Sequence, residues 1–293
     1  MTQQITIVGV GLIGGSFALA LRAAGLEINI VGAGRSLQNL KRAKERGIVD
    51  SYSTSLCEAV AGSDVVLLTT PVGATDKIMQ ELAPACGPDT IVTDAGSVKQ
   101  SMIESARRWM KHFSNFVPAH PIAGTEHSGV EAGFATLYQG KRLILTPVEE
   151  TSDLALRTVT DLWKATGAVP ETMDPKHHDE VLATTSHLPH MLAFSLVETL
   201  YQMDKRAPLL HHTGGGFADY TRIASSDPVM WRDICLNNRE ALLASLAEFQ
   251  GGLDKLIRAV EAQDGETLEQ LFLTAKKTRD SKVLAAEHGK LDK

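Results

Sequence analysis

Over the first 173 residues, short apolar runs alternate with stretches of helical periodicity. Ile5-Thr6-Ile7-Val8, Ile28 to Val31, Val65 to Thr69, Thr90 to Asp94, Phe116 to Ala119 and Leu143 to Thr146 read as strands, with Ala168 to Met173 as a last one. Ser16 to Ala24, closed by Gly25, reads as a helix, as do Ser36 to Arg46, stopped at Gly47, and Asp153 to Thr166. Strands that alternate with helices predict crossover units, because a parallel neighbour is reached only by a long connection. The expected class is α/β, with a doubly wound parallel sheet.

The pattern changes after Asp174-Pro175, where strand signals vanish. Helical patterns run from about Lys176 to Asp204 and from Val229 to Ala262. Pro189 cannot donate to the carbonyl of Thr185, so a kink is expected beside His187. In the second pattern Leu242, Leu246, Phe249, Leu253, Leu256 and Val260 recur at spacings of three and four, a stripe suited to packing on other helices. The pair Gly251-Gly252 marks a candidate bend. The reading is therefore a dinucleotide-binding domain over residues 1–173 and an all-helical domain over residues 174–293.

The composition, 43% hydrophobic and 22% charged, is that of a globular chain. A net charge of −6 argues against a nucleic-acid partner. Cys57, Cys86 and Cys235 form no CxxC pair, which disfavours a disulfide framework and fits a reducing, cytoplasmic setting. Residues 2–21 carry no charge, yet no Lys or Arg precedes Arg22 and four glycines interrupt the run. A signal peptide or membrane span is not expected. The ten histidines show no metal-ligand spacing, and no metal is expected.

The glycines have a better use. Gly9-Val10-Gly11-Leu12-Ile13-Gly14 matches G-x-G-x-x-G after a strand and at a helix start. Gly9 permits the tight turn, Gly11 the approach of a pyrophosphate, and Gly14 close helix–sheet packing, while the helix N-terminus attracts the anion. Leu12 and Ile13 belong to the same loop, and Thr70-Pro71 follows the strand ending at Thr69. An acid about twenty residues past the motif would hold the ribose 2′-OH of NAD. This chain has Gly34-Arg35-Ser36 there. Arg35 can pair with a 2′-phosphate and Ser36 can donate to it, so NADP is expected, with NAD as the alternative.

Two further segments end strands: Thr93-Asp94-Ala95-Gly96-Ser97-Val98-Lys99, and the run from His120 through Glu126 to Gly129. Ligands of open α/β sheets bind beyond the carboxyl ends of strands, so Ser97 and His120 are candidates to lie beside the nicotinamide. A histidine there can act as a general base or can be an ordinary capped loop residue. The helical half adds Ser186-His187-Leu188-Pro189-His190 and a stretch from Gly214 through Asp219, Arg222 and Trp231. Arg222 is a carboxylate partner by its chemistry, with Asp219 one turn earlier or simply a surface neighbour.

Together, GVGLIGGS at Gly9, TDAGSVK at Thr93, HPIAGTEHSG at His120, SHLPH at Ser186 and GGGFADYTRIASSDPVMWRDI at Gly214 resemble the prephenate/arogenate (cyclohexadienyl) dehydrogenase family of tyrosine biosynthesis. The resemblance implies a Rossmann domain followed by an all-helical dimerisation domain, and hence a homodimer. It implies oxidative decarboxylation of prephenate to 4-hydroxyphenylpyruvate, or of arogenate to tyrosine. His120 would accept the proton of the 4-hydroxyl. Ser97 would orient His120, contact that hydroxyl and border the cofactor. His187 would line the pocket, and Arg222, steadied by Asp219, would bind a substrate carboxylate. Glu126 would stand at the pocket mouth and Trp231 would shape the site. Many relatives carry an acid where this chain has Gly34, which puts an NAD preference in doubt. The other readings are a β-hydroxyacid-type dehydrogenase, which would rely on a lysine in the helical half, and a non-catalytic NADP-sensing module.

Overall fold

The computed structural model describes residues 2–125, 127–205 and 208–283. The elements run β1 Gln4–Val8, α1 Leu12–Ala23, β2 Asn29–Ala33, α2 Leu37–Glu45, β3 Ser51–Ser53, α3 Leu56–Val60, β4 Val65–Leu68, α4 Thr75–Leu82, β5 Ile91–Asp94, α5 Gln100–Trp109 and β6 Phe116–Val117. Then come β7 Ala119–Pro121, β8 Arg142–Leu145, α6 Asp153–Ala165, β9 Val169–Thr172, α7 Pro175–Leu182, α8 Leu188–Asp204, α9 Gly215–Thr221, α10 Pro228–Asn237, α11 Arg239–Glu261 and α12 Gly265–Thr278.

Six strands form one parallel sheet in the order β3-β2-β1-β4-β5-β6. Its inner strands are buried on both faces. In β4, Val65 and Leu67 join one apolar cluster with Ile5, Ile7, Phe17 and Trp163, while Val66 and Leu68 join another with Val92, Met102 and Phe116. Successive side chains of a strand point to opposite faces, so continuous apolar runs are what a sheet covered on both sides requires. On the first face Trp163 meets Phe17 and Tyr138 edge-on, with ring centroids 4.7 and 5.0 Å apart.

The expected run Phe116 to Ala119 is two strands. Pro118 cannot donate a ladder bond, and the chain changes sheets there. β7 pairs antiparallel with β8, and β8 parallel with β9, in a separate three-stranded sheet. The doubly wound sheet thus stops at β6.

By compactness the chain forms two units, Met1–Leu242 and Leu243–Lys293. The first extends past β9 because Trp231 and Ile234 of α10 belong to the apolar cluster of Val66 and Leu68. The expected helix over Lys176–Asp204 is α7 and α8 joined by a π-helical turn, Ala183–His187. That turn accommodates Pro189 at the start of α8 without a broken helix. The helical pattern over Val229–Ala262 is interrupted at Asn238, and α11 runs on through Gly251-Gly252. The second unit holds the remainder of α11 and α12. Of the stripe residues beyond Leu242, Leu246 and Leu256 are half-buried, while Phe249, Leu253 and Val260 are exposed. No described helix is long and apolar enough to cross a membrane.

Candidate active site

At the carboxyl end of β1 the chain turns at Gly9, whose φ of +95° suits only glycine. A Cβ there would meet Thr70 Cγ2 at 2.8 Å and the Thr69 carbonyl at 2.9 Å; one on Gly14 would meet Ile7 Cγ2 at 2.6 Å. Thr69 Oγ1 donates to the Gly9 carbonyl at 2.6 Å and pins the loop to β4. Gly11 faces open space and caps α1 without a side-chain acceptor, so the first N–H groups of the helix remain available to an anion. Thr70 Oγ1 is buried with no partner among the described residues. Tight packing at Gly9 and Gly14, an open Gly11 and an orphaned hydroxyl form a cradle that fits a dinucleotide. Leu12 is buried, Ile13 half-buried and Pro71 exposed at its edges.

After β2, Gly34 is half-buried, and Arg35 and Ser36 are exposed. Ser36 caps α2 by accepting from Asn39 N at 3.2 Å, which leaves its O–H free to donate. Arg35 makes no ion pair among the described residues.

The second centre forms where β5, β7 and α7 converge. Asp94, ending β5, accepts from Gly96 N at 2.7 Å and Ala119 N at 3.1 Å. It also pairs with Lys99 Nζ, which donates to the Ala119 carbonyl at 2.6 Å. Both side chains are fully buried. Burial pushes the Asp94 carboxyl up and the Lys99 ammonium down, while each partner pulls the other back. The pair brackets Ala119 and so fixes the next residue, His120.

The His120 ring is buried, and its Nδ1 lies 2.9 Å from His178 Nε2. His178 Nδ1 lies 2.8 Å from Asp179 Oδ1. Burial first, then the charges of His178, Lys99 and His187, hold His120 well below the ordinary histidine pKa. Ser97 is half-buried nearby in sequence, but the hydrogen-bond partner of the His120 side chain among the described residues is His178, which reaches it from α7.

His187 is also buried. Asn238 Nδ2 donates to the Asp179 carbonyl at 2.8 Å and lies 3.1 Å from His187 Nδ1. The carbonyl can only accept, so the amide nitrogen is fixed at that position and His187 Nδ1 is the acceptor. The proton of the neutral ring therefore sits on Nε2, which is buried with no partner among the described residues. Burial lowers the His187 pKa to about 4, so the ring is neutral at neutral pH. A buried, unpaired N–H is costly and is a ready donor to a ligand.

Trp231 stands beside it. Its ring stacks on His190 at 3.7 Å and lies 6.1 Å from His187, and its buried Nε1 has no partner among the described residues. Burial first, and then the positive charge of Arg222, disfavour protonation of His190, against the bond to the Ser186 carbonyl. Arg222 and Asp219 are both exposed, and no ion pair joins them among the described residues. Glu126 lies outside the described residues. The described residues hold no cluster of three or more metal-ligating side chains.

In the sequence His178 is one of the histidines weighed as a metal ligand, and Asp179 and Asn238 carry no motif. The acid beside a histidine in His177-His178-Asp179 was a weak signal. Nothing in the spacing connects it to His120, 58 residues away.

Two family models match the chain: the nucleotide-binding domain of prephenate dehydrogenase over residues 17–172, and its dimerization domain over residues 174–274. The cyclohexadienyl dehydrogenase of Zymomonas mobilis is 38% identical over 94% of this chain and 95% of its own length. The prephenate dehydrogenase of Bacillus subtilis is 37% identical over 96% of this chain and 76% of its own. The crystal structure of prephenate dehydrogenase from A. aeolicus, in complex with hydroxyphenyl propionate and NAD+, matches with a TM-score of 0.88 at 39% identity, covering 96% of this chain and 98% of that one. Synechocystis arogenate dehydrogenase matches with a TM-score of 0.77 at 28% identity, over 95% of this chain and 99% of that one.

Proposed function

The chain belongs to the prephenate dehydrogenase family, and on that premise we propose that it oxidatively decarboxylates prephenate, arogenate or both, with NADP as the preferred hydride acceptor. It is a dehydrogenase that uses a nicotinamide cofactor. The observation that carries the finer reading is the buried pair of neutral rings His120 and His187: His187 Nε2 is buried with no hydrogen-bond partner among the described residues, and His120 is held through Nδ1, which leaves its Nε2 for the substrate. The substrate supplies the partners those atoms lack.

The substrate has a hydroxyl and a hydrogen on ring C4 and a carboxylate on ring C1. His120 Nε2 takes the hydroxyl proton as the C4–O bond gains carbonyl character. A nicotinamide dinucleotide would be held by its pyrophosphate at the Gly9–Gly14 loop, with Leu12, Ile13, Thr70, Pro71 and Ser97 bordering it, and would supply the hydride acceptor for the hydrogen on C4. The electrons of the breaking C1–carboxylate bond enter the ring as CO2 leaves, and aromaticity drives the step. Ser97 contacts the hydroxyl, and His187 Nε2–H donates to a substrate oxygen. Trp231 walls the pocket, and Asp219 lies near Arg222. The division of labour gives residues 1–173 the cofactor and, through Ser97 and His120, the reacting hydroxyl, and residues 174–293 the other substrate contacts and the dimer contacts. The exposed Phe249, Leu253 and Val260 support a homodimer, since a second copy would cover them. The site of action is the cytoplasm.

The decisive assay incubates the protein with prephenate or arogenate plus NADP or NAD and follows reduced nicotinamide by absorbance. Turnover with neither substrate would overturn the proposal.

Arg222 is assigned to a substrate carboxylate. A charge-assisted pair contributes about 1.5–3 kcal/mol, so Arg222→Gln is expected to raise the substrate KM roughly tenfold to a hundredfold, with the cofactor KM little changed. An unchanged substrate KM would remove Arg222 from the pocket.

NADP preference rests on Gly34 and Arg35. An acid at position 34 would hold a 2′-OH and repel a 2′-phosphate, whereas the exposed Arg35 attracts the phosphate. Water screens that pairing, which limits it to roughly tenfold to a hundredfold in kcat/KM. Gly34→Asp with Arg35→Ala should reverse the ratio of kcat/KM for NADP and NAD, because it removes an attraction and adds a repulsion. A wild type that prefers NAD would defeat this reading and leave the glycine loop untouched.

A further inference from the structure

His178 and Asp179 lie one step behind the base, and with a neutral His178 the hydrogen bonds there permit a single arrangement of protons. We propose that His178 and Asp179 form a positioning dyad that fixes His120 in the tautomer protonated on Nδ1, leaving its lone pair on Nε2. The proposal rests on the reading of His120 as the base.

Asp179 Oδ1 accepts from Lys99 N at 2.8 Å and Oδ2 accepts from Gln100 N at 2.9 Å. The carboxylate thus sits on the N-terminus of α5, where free N–H groups and the helix dipole favour an anion. Burial works against its charge, but the bonds from His178, Gln100 and Lys99 more than offset this and hold the carboxyl below its ordinary value. A carboxylate only accepts, so His178 Nδ1, 2.8 Å away, carries a proton. Burial keeps His178 below the ordinary histidine value despite the neighbouring acid, so the ring is neutral and its Nε2 is an acceptor. His120 Nδ1, 2.9 Å from that atom, must then donate. The basic nitrogen of His120 is left as Nε2.

The opposite case has a definite cost. A protonated His178 would donate from both nitrogens, turn His120 Nδ1 into the acceptor and put a proton on Nε2, where it blocks proton abstraction. The dyad also matters after proton transfer. The imidazolium formed at His120 is buried near the Lys99 ammonium, and His187 is close enough to act on it. The anionic Asp179, acting through His178, is the compensating charge on that side; Asp94 is engaged by Lys99 and two backbone N–H groups.

The test reads the tautomer directly. Two-bond proton–nitrogen correlation spectra are recorded on the full chain with nitrogen-labelled histidine, His120 being identified by its absence in His120→Asn. The expected spectrum has His120 and His178 neutral and protonated on Nδ1. A wild-type His120 protonated on Nε2 overturns the proposal, whether or not any variant folds. Kinetics supply the second readout. His178→Phe should lose the tautomer bias and lower kcat roughly 10- to 1000-fold, short of the roughly 10⁴ that a wrongly protonated catalytic histidine costs, with substrate KM little changed. His178→Gln keeps a carbonyl acceptor for His120 Nδ1 and should recover at least about tenfold of that loss. Equal impairment of the two variants, or an unimpaired His178→Phe, overturns the dyad. A wild type inactive on both substrates would overturn the function proposed for the site, while the wild-type spectrum would still decide the tautomer.

Discussion

His120→Asn is expected to lower kcat roughly 10²–10⁴-fold, the range for loss of a positioned acid–base group. Asparagine is the informative replacement. Its amide reaches the region of the histidine Nδ1 and can still donate to His178, so the packing behind the ring survives. It puts no atom where Nε2 stands and offers no basic nitrogen. Substrate and cofactor KM should therefore change little, and the loss should fall on kcat and kcat/KM together, the mark of an interaction made in the transition state. A variant within about threefold of wild-type kcat would refute the assignment. The pH profile gives a second check. His120 is held well below the ordinary histidine pKa by burial, His178, Lys99 and His187. The base is thus already unprotonated at neutral pH. The wild-type kcat should stay level as the pH falls from 8 through about 6.5, the ordinary histidine value, and decline only below it.

The parts of this site that were legible in the sequence are those whose physics is local. The turn at Gly9 and the packing at Gly14 are set within one strand–loop–helix unit, and the motif spacing encodes them. The buried strands β1, β4 and β5 announce themselves as apolar runs. β6 and β7 do not: the run Phe116 to Ala119 is broken only by Pro118, and no local feature says that the next three residues join another sheet. The same limit applies to chemistry. HPIAG marks His120, but its supporting ring arrives from α7, and the amide that fixes His187 comes from Asn238, which ends α10. Asn238 carries no motif. Its use follows from a break between two helices that the continuous apolar periodicity hides, with φ −111° and ψ 36° at the break. The exposure of Phe249 and Leu253 was equally unreadable, because a stripe at helical spacing looks the same whether its partner belongs to the same chain or to another.

Lys99→Met is expected to destabilise the fold by about 3–5 kcal/mol, since removing one member of a buried ion pair leaves the other as an uncompensated charge. Asp94 would keep the N–H groups of Gly96 and Ala119 but lose its counter-charge, and the Ala119 carbonyl would lose the Lys99 donor. The double variant Lys99→Met with Asp94→Asn should recover part of the loss, because it removes the charge while keeping one acceptor oxygen. The pH dependence separates this cause from simple misfit of methionine. In Lys99→Met the Asp94 carboxyl, already pushed up by burial, loses the partner that pulls it down. Its folded-state pKa then stands above its unfolded value, so the folded state binds the extra proton and stability falls as pH rises through that interval. The gap between wild type and variant should accordingly narrow on acidification toward the ordinary carboxylate range and widen to its full size at neutral pH. The measurement is urea unfolding of wild type, single and double variants across that range. A single variant whose deficit does not vary with pH, or a double variant no more stable than the single, would show that the Asp94 charge is not what Lys99 compensates.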